Sequence, residues 1–279
     1  MTYLEFYSLT SKPFVNACNP DFYYEGYDHI EALNRLIFLI EEGDMNFGML
    51  TGEIGCGKTM TRQMLKRRLD QDLFEVIDMD NSNLDFNYLL LEMIHKLSPD
   101  DVGENLPEDN IYHLLQEFQY LLDSKIRCEN RSLVVILDEA QQLSAEALIE
   151  LKNLTNIDSD CEGSITIILV GQPELRSLVK SLPQIDQRVS LRFHLNPLSV
   201  VDVRGYVATR LRKAGHETGE LFTQDAIMYV AAETHGIPRE INRVCQLSLN
   251  FAFSQQLEII DLEAVKAVIA DLHRQQGRI

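Results

Sequence analysis

Apolar residues along the first two-thirds of the chain predict helices and strands in alternation. Helical spacing follows Asp28, which is predicted to cap a helix, and this helix is predicted to end at Gly43. Further helices are predicted over 58–69, 86–97, 111–126, 145–153 and 174–182. Short apolar runs predict five buried strands, over Phe47–Leu50, Phe74–Met79, Ser132–Leu137, Ile165–Val170 and Leu191–Leu195. Such alternation is typical of an α/β fold with a mostly parallel sheet covered on both faces by helices.

The pattern changes after Pro197, where helical periodicity continues without any further strand. Ser199, Thr223 and Asp261 are predicted to cap three helices, and another helix is predicted to begin near Pro238. We therefore expect two domains, an α/β domain over 1–196 and a helical domain over 197–279.

Composition places the chain among ordinary globular proteins, but its charge is uneven. The 279 residues are 45% hydrophobic, and the net charge is −18. Residues 70–160 hold 21 acidic and 5 basic residues, so nearly all of the excess lies there. An acidic surface repels nucleic acid and favours basic partners, although it is equally consistent with a role in solubility alone.

No membrane span or export signal is expected from the sequence. No apolar run approaches the roughly eighteen residues of a spanning helix, and the N-terminus lacks a basic segment followed by an apolar one. The five cysteines form no CxxC motif. We expect reduced thiols, a cytoplasmic location and no structural metal.

A glycine-rich motif between a predicted strand and a predicted helix carries the strongest chemical signal. The segment GEIGCGKT matches GxxxxGK[ST], the phosphate-binding P-loop. Gly55 and Gly57 allow the backbone to turn its amide groups toward phosphates, Lys58 supplies a cation, and the Thr59 hydroxyl is a candidate Mg²⁺ ligand. The predicted ATP-binding residues are Gly52, Glu53, Ile54, Gly55, Cys56, Gly57, Lys58, Thr59 and Met60.

Two further strands end in polar residues that fit nucleotide hydrolysis. Asp138 follows the apolar run 133–137 and is predicted to hold Mg²⁺, while Glu139 is predicted to activate the attacking water. Gln172 follows the fourth strand, where its amide is a candidate contact for the γ-phosphate. The alternative is that Gln172 is only a turn residue before Pro173.

Arginines near the end of the α/β domain and in the helical domain are candidates for phosphate contacts. Arg188, in preference to Arg192, is predicted to reach a neighbouring subunit's γ-phosphate as an arginine finger. Arg239 is predicted to contact the phosphates from the helical domain. Surface salt bridging is the alternative for Arg188 and Arg192, and a solvated arginine on a helix is the alternative for Arg239. Cys56 is interpreted as a spacer, with oxidation as the alternative.

Taken in order, these motifs resemble the AAA+ superfamily and, within it, the general secretion pathway protein A family. The resembling segments are KPF at 12–14, FYY at 22–24, HIEAL at 29–33, TGEIGCGKT, LVVILDEAQQL, ILVGQPEL, QRVSLRFHL and GIPREINRVC. The resemblance implies a sheet ordered 5-1-4-3-2 with a helical lid, and the roles of sensor 1 for Gln172 and sensor 2 for Arg239. It also implies that Pro13, Phe14, Tyr24 and His29 contact the adenine base.

Three functions are weighed from this resemblance. The first is a Mg²⁺-dependent ATPase that forms homo-oligomers and assembles a secretion, type IV pilus or exopolysaccharide system through a protein partner. The second is a transposition regulator that coats DNA, which the acidic charge disfavours. The third is a nucleotide switch that barely hydrolyses ATP, which the Asp138–Glu139 pair disfavours. Secretion relatives commonly continue into a membrane span and a peptidoglycan-binding domain. We expect this chain to resemble instead the short stand-alone members of the family.

Overall fold

The computed structural model describes residues 2–43, 45–80, 85–99, 110–156 and 165–275. Its centre is a parallel sheet whose strands follow the predicted order along the chain. The strands are β1 (Phe47–Gly52), β2 (Phe74–Met79), β3 (Ser132–Leu137), β4 (Ile165–Gly171) and β5 (Val189–Leu195). They lie side by side in the order β2-β3-β4-β1-β5, which confirms the expected order 5-1-4-3-2.

Helices separate the strands and then follow them without interruption. In chain order the helices are α1 (Tyr3–Phe6), α2 (Tyr27–Glu42), α3 (Lys58–Arg68), α4 (Phe86–Leu97), α5 (Ile111–Leu121), α6 (Ala145–Thr155), α7 (Glu174–Lys180), α8 (Pro183–Asp186), α9 (Val200–Lys213), α10 (Gln224–Thr234), α11 (Pro238–Ser254) and α12 (Leu262–Gln275). In the described part of the chain, no helix combines the length and the apolarity that crossing a bilayer requires.

The residues group into two compact units, each with its own hydrophobic core. The first unit contains Met1–Ile30, Glu53–Met60 and Asn196–Ile279, and the second contains Glu31–Gly52 and Thr61–Leu195. The phosphate loop thus belongs to the first unit, and the sheet belongs to the second.

The second unit is built around the sheet. Every residue of β1 and β4 is buried, and the two strands pair in register with Phe47 opposite Ile167. Burial on both faces explains why these strands are continuous apolar runs rather than alternating ones. Because all five strands are parallel, their carboxyl ends meet at one edge, where Asp138 and Gln172 follow β3 and β4.

The first unit is built around helices α9 to α12, whose apolar faces share one core with the N-terminal segment. Tyr7 and Phe14 lie in this core, and the Tyr7 hydroxyl donates to the Leu257 carbonyl at 2.8 Å. The Phe14 ring meets Phe222 edge-on, with 6.3 Å between ring centroids. The first residues of the chain are therefore packed against its last helices.

Most predicted helix ends are confirmed, and one cap is wrong. Ser199, Thr223 and Asp261 each accept a backbone N–H three residues later, as an N-cap does. Asp28 does not cap its helix, because α2 begins at Tyr27 and the Gly26 carbonyl accepts the first helical bond. Its carboxylate instead accepts a hydrogen bond from Asn196 at 2.8 Å.

Three predicted element boundaries are also corrected. The helix expected over 111–126 ends at Leu121 and continues as a π-helix over Leu122–Ile126. Strand β5 begins at Val189, two residues before its expected start, and α7 ends at Lys180.

Replacing Phe118 by Ala tests the core of the second unit. Phe118 is fully buried in α5, whereas Tyr120 on the same helix is 64% exposed. Phe118→Ala is expected to lower the free energy of unfolding by about 3–5 kcal/mol through cavity formation. Tyr120→Ala is expected to change it by less than about 0.5 kcal/mol. Urea denaturation measures both, and equal losses would contradict the assigned burial.

Candidate functional site

The phosphate loop leaves β1 at Gly52 and bends twice through left-handed backbone before α3 begins at Lys58. Gly55 has φ of +87° and Gly57 has φ of +101°, conformations that side chains disfavour. A Cβ at Gly55 would lie 2.8 Å from the Arg239 Cβ, and one at Gly57 would lie 2.8 Å from the His29 Nε2. Glycine is therefore required at both positions, by conformation and by space.

Lys58 folds back along the loop that precedes it. Its side chain is buried, and Nζ donates to the Glu53 carbonyl at 3.0 Å. Thr59, the next residue, is exposed at the first turn of α3. Cys56 is fully buried, and this burial raises the pKa of its thiol. The thiolate that oxidation needs is thus disfavoured, which supports the interpretation of Cys56 as a spacer.

His29 contacts the phosphate loop directly. It is 6% exposed, and its Nε2 lies 3.0 Å from the Cys56 carbonyl oxygen. Because a carbonyl only accepts, Nε2 carries the proton. Burial lowers the pKa of His29, although the hydrogen bond to Cys56 and the charges of Asp28 and Asp202 oppose the shift. The imidazole is therefore neutral and acts as a donor that holds the loop.

The other predicted base contacts lie among the helices of the first unit. The Tyr24 hydroxyl lies 3.2 Å from an Asp202 oxygen of α9. Burial, and to a smaller extent the Asp202 carboxylate, raises the pKa of Tyr24 to about 12. The ring fills the space beside Gly205, where a Cβ would lie 2.5 Å from its hydroxyl. Phe14 is a core residue, and Pro13 is buried beside it.

Arg239 lies next to the loop, within the same unit. Its backbone N–H donates to the Gly55 carbonyl at 3.3 Å, and its side chain is exposed at the first turn of α11. Helix α11 begins with Pro238, which lacks the N–H that a first turn would leave unpaired. The first turn of α11 thus contacts the phosphate loop.

A buried arginine that the sequence analysis missed orders the N-terminal segment. Arg210 is 5% exposed and donates to the carbonyls of Pro13 at 2.6 Å and Val15 at 2.8 Å. It also donates to the Tyr206 hydroxyl at 2.9 Å, which in turn donates to Asn242 of α11. The one sequence signal is a charged residue on the apolar face of α9.

In the second unit, the carboxylate of Asp138 is held at both oxygens. Oδ1 accepts the Glu139 backbone N–H at 2.9 Å, and Oδ2 pairs with Arg62 at 3.0 Å. Arg62 is buried and also pairs with Asp78 and Asp80. Burial acts to lower the pKa of Arg62, but these carboxylates outweigh it and raise the pKa. Arg62 is therefore a permanent cation beside Asp138.

Glu139 and Gln172, which the sequence analysis assigned separately, lie in contact. Gln172 Nε2 donates to the Glu139 carboxylate at 3.1 Å, and Gln141 Nε2 donates to it at 2.5 Å. The side-chain oxygen of Gln141, Oε1, accepts the Gln172 backbone N–H at 3.0 Å. Gly171 permits this approach, because a Cβ there would lie 2.5 Å from the Gln141 oxygen. Glu139 has φ of +52°, a strained conformation for a residue with a side chain.

Arg188 and Arg192 differ in their partners within the second unit. Arg192 pairs with the Asp186 carboxylate at 2.8 Å and donates to the Asp186 carbonyl at 2.5 Å. Arg188 is exposed, and it donates to the Asn156 side chain at 3.2 Å. A neutral amide holds a guanidinium less strongly than a carboxylate does, so Arg188 is easier to recruit for another anion.

Comparisons with known proteins find similar sequences. Residues 41–179 match the family described as AAA domain. General secretion pathway protein A of Aeromonas hydrophila is 34% identical over 258 residues, which cover 91% of this chain and 45% of that protein. An uncharacterized HTH-type transcriptional regulator of Methanocaldococcus jannaschii is 27% identical over 231 residues, covering 79% of this chain and 55% of that protein.

The fold also has relatives among solved structures. The Aeropyrum pernix ORC2 protein, solved as ADPNP–ADP complexes, superposes with a TM-score of 0.67 at 16% identity, covering 90% of this chain and 71% of that one. This likeness concerns the fold. The chain spans about half the length of the curated relatives that it matches.

Replacing His29 by Gln tests the buried donor through its pH dependence. Because the pKa of His29 in the folded state lies below its ordinary value of 6.5, the unfolded chain binds the proton more readily. The resulting stability is present above pH 6.5 and is lost as the pH falls through the folded-state pKa. A glutamine amide can still donate to Cys56 but does not titrate.

Urea unfolding at about pH 7.5 and about pH 5.5 measures the effect. The wild type is expected to lose more stability between these pH values than His29→Gln does. Comparing the two proteins cancels the contribution of the other histidines. An identical pH dependence would show that the imidazole is not buried in its neutral form.

Proposed function

The chain belongs to the AAA+ superfamily of P-loop ATPases, and we propose that it binds ATP with Mg²⁺ and hydrolyses it to drive assembly of a secretion or type IV pilus or exopolysaccharide system. The observation that carries the nucleotide part is the phosphate loop, in which two left-handed glycines precede a helix that begins with Lys58. A triphosphate is the anion that this combination of backbone amides, helix N-terminus and ammonium group fits.

The residues of the first unit supply phosphate and base contacts in this proposal. Lys58 releases the Glu53 carbonyl and turns to the β- and γ-phosphates, while Arg239 binds from α11, which acts as part of a lid over 197–279. His29 holds the loop through Cys56, and Tyr24, Pro13 and Phe14 border the base. Support comes from the contacts of His29 and Arg239 with the loop.

Thr59 and Asp138 would hold Mg²⁺. Hydroxyl and carboxylate oxygens are the hard ligands that Mg²⁺ prefers, so the donor set fits the ion. When bound, Mg²⁺ would neutralise charge on the β- and γ-phosphates. The protein's part is to aim the Asp138 carboxylate, which the Glu139 amide and Arg62 hold from two sides.

Glu139 activates the attacking water in the proposed mechanism. Its carboxylate accepts hydrogen bonds from Gln141 and Gln172, so two amides fix its orientation. An ionised carboxylate can accept the proton of a water that attacks the γ-phosphate. Gln172, which already contacts Glu139, is suited to bind the same water or the γ-phosphate oxygen.

Two substitutions separate binding from hydrolysis. Lys58→Ala is expected to weaken binding of a fluorescent ATP analogue at least about tenfold, because a charge-assisted phosphate contact is lost. Glu139→Gln is expected to bind normally and to hydrolyse about 10²–10⁴-fold more slowly, because the general base is lost. Lys180→Ala, an exposed change at the end of α7, is the control. Normal binding by Lys58→Ala or normal turnover by Glu139→Gln would refute the assigned role.

We further propose that the subunits assemble into a ring or filament in which Arg188 enters a neighbour's site. The neutral partner of Arg188 favours it over Arg192, whose guanidinium is held by both the carboxylate and the carbonyl of Asp186. A head-to-tail arrangement of identical subunits would give each site one finger from its neighbour.

Mixing inactive variants tests the shared site. Arg188→Ala keeps its pocket and Lys58→Ala keeps its finger, so each alone is expected to be nearly inactive. An equal mixture is expected to recover about a quarter of wild-type activity, since one neighbouring pair in four combines both intact parts. Arg192→Ala serves as the control and is expected to stay active alone. A mixture no more active than its components would count against a finger in trans.

The likeness to general secretion pathway protein A supports the proposed role in a secretion system. A cytoplasmic location and a protein partner are further parts of this proposal. The alternative is a regulator that coats DNA, as transposition ATPases do. This alternative requires that duplex DNA promote assembly. The acidic excess of residues 70–160 opposes a phosphodiester backbone and favours a basic protein surface.

A further inference from the structure

Helix α3 carries a buried cation one turn after Lys58. Arg62 is 4% exposed, and a guanidinium taken out of water is stable only when carboxylates surround it. Position 62 has no part in the phosphate-loop motif, and in the nucleotide site proposed above Arg62 serves only to hold the Asp138 carboxylate. Its neighbours therefore indicate its role.

The partners of Arg62 come from the ends of two adjacent strands of the second unit. Nη1 lies 3.2 Å from Asp78 Oδ1 in β2 and 3.0 Å from Asp138 Oδ2 after β3, while Nη2 pairs with Asp80. Lys66, one turn further along α3, pairs with Asp78 Oδ2 at 2.8 Å and completes the cluster. Three carboxylates thus face two cations, and the cluster keeps one negative charge.

Within this cluster Arg62 is the cation that contacts Asp138. The same carboxylate is the proposed ligand of Mg²⁺, so a metal ion bound there must share it with a guanidinium. Two cations on one carboxylate repel each other, and the repulsion is strong because the guanidinium is shielded from water. Lys66 contacts Asp78 instead and lies half-buried, so its repulsion is more strongly screened.

We propose that Arg62 is a positioning residue that serves as the resident counter-charge of Asp138 and thereby weakens the binding of Mg²⁺ at the nucleotide site. The proposal rests on the proposed ATP-binding function. Arg62 keeps Asp138 oriented when the metal is absent, and it opposes the metal when nucleotide brings it in. A purely structural role for Arg62 would have a different signature, since loss of support would weaken nucleotide and metal binding together.

The coupling between Mg²⁺ and nucleotide binding measures this effect. The affinity of a fluorescent ADP analogue is determined with excess Mg²⁺ and with excess EDTA. The coupling factor is the dissociation constant with EDTA divided by the dissociation constant with Mg²⁺, so a larger factor means that Mg²⁺ strengthens nucleotide binding more. Arg62→Gln is expected to raise this factor about tenfold, because a positive charge next to the metal's carboxylate is removed. Arg62→Lys keeps the charge and is expected to stay within about threefold of wild type.

Lys66→Gln is the matched control, because it removes a cation from the same cluster that pairs with Asp78 and not with Asp138. Its coupling factor is expected to stay within about threefold of wild type. Asp78→Asn is expected to shift the factor in the opposite direction, lowering it, because Arg62 then interacts with Asp138 more fully. This variant also carries the test if Arg62→Gln does not fold.

The outcomes distinguish failure of the inference about Arg62 from failure of the proposed ATP-binding function. A coupling factor for Arg62→Gln that is unchanged, lowered, or equal to that of Lys66→Gln overturns the inference, and so does an increase for Asp78→Asn. A wild-type protein that binds no nucleotide overturns the proposed function, and the inference falls with it. An increase for Arg62→Gln together with a decrease for Asp78→Asn supports both.

Discussion

The left-handed backbone of the phosphate loop is the constraint on which the rest of the first unit depends. Its carbonyl groups are tied to donors, since Glu53 accepts from Lys58, Gly55 from the Arg239 amide and Cys56 from His29. In a trans peptide the carbonyl and the N–H of the next residue point in opposite directions. Because hydrogen bonds fix the direction of the Glu53 and Cys56 carbonyls, the N–H groups that follow them point away from those hydrogen-bond donors. The loop accepts hydrogen bonds from Arg239 of the helices and from His29 of the N-terminal segment. These bonds join the helices, the N-terminal segment and the loop in one unit.

The fold was predictable from the sequence wherever the signal is local. Continuous apolar runs predicted the buried strands, and Ser199, Thr223 and Asp261 marked helix starts by a side chain that reaches three residues ahead. The strand order came from family resemblance, because periodicity does not say which strands are neighbours. The predicted helix over 111–126 was wrong at its end, because Leu122 and Ile126 are both buried and lie four residues apart, a spacing that also fits an α-helix.

Candidate site residues could be proposed from the sequence where one motif contains its own chemistry, as in Gly52–Thr59 and Asp138–Glu139. Gln172 and Glu139 were proposed separately because they follow different strands. The sheet places the Gln172 Nε2 atom 3.1 Å from the Glu139 carboxylate. Arg210 and Arg62 were missed because each is defined by distant partners. On its own helix Arg62 looks like an ordinary polar residue, and only the ends of β2 and β3 make it a buried cation.

Charge near the carboxyl ends of β2 and β3 must satisfy two opposed requirements. A group of acids attracts a divalent ion, but it also repels the triphosphate that carries that ion. In the proposed site, Asp78, Asp80 and Asp138 without counter-charge would favour the metal over the triphosphate, and full neutralisation would remove the net attraction for the metal. Arg62 and Lys66 reduce the charge of the group to a single negative one. Because Arg62 contacts Asp138 itself, the proposed balance between metal and nucleotide would be most sensitive to this one side chain.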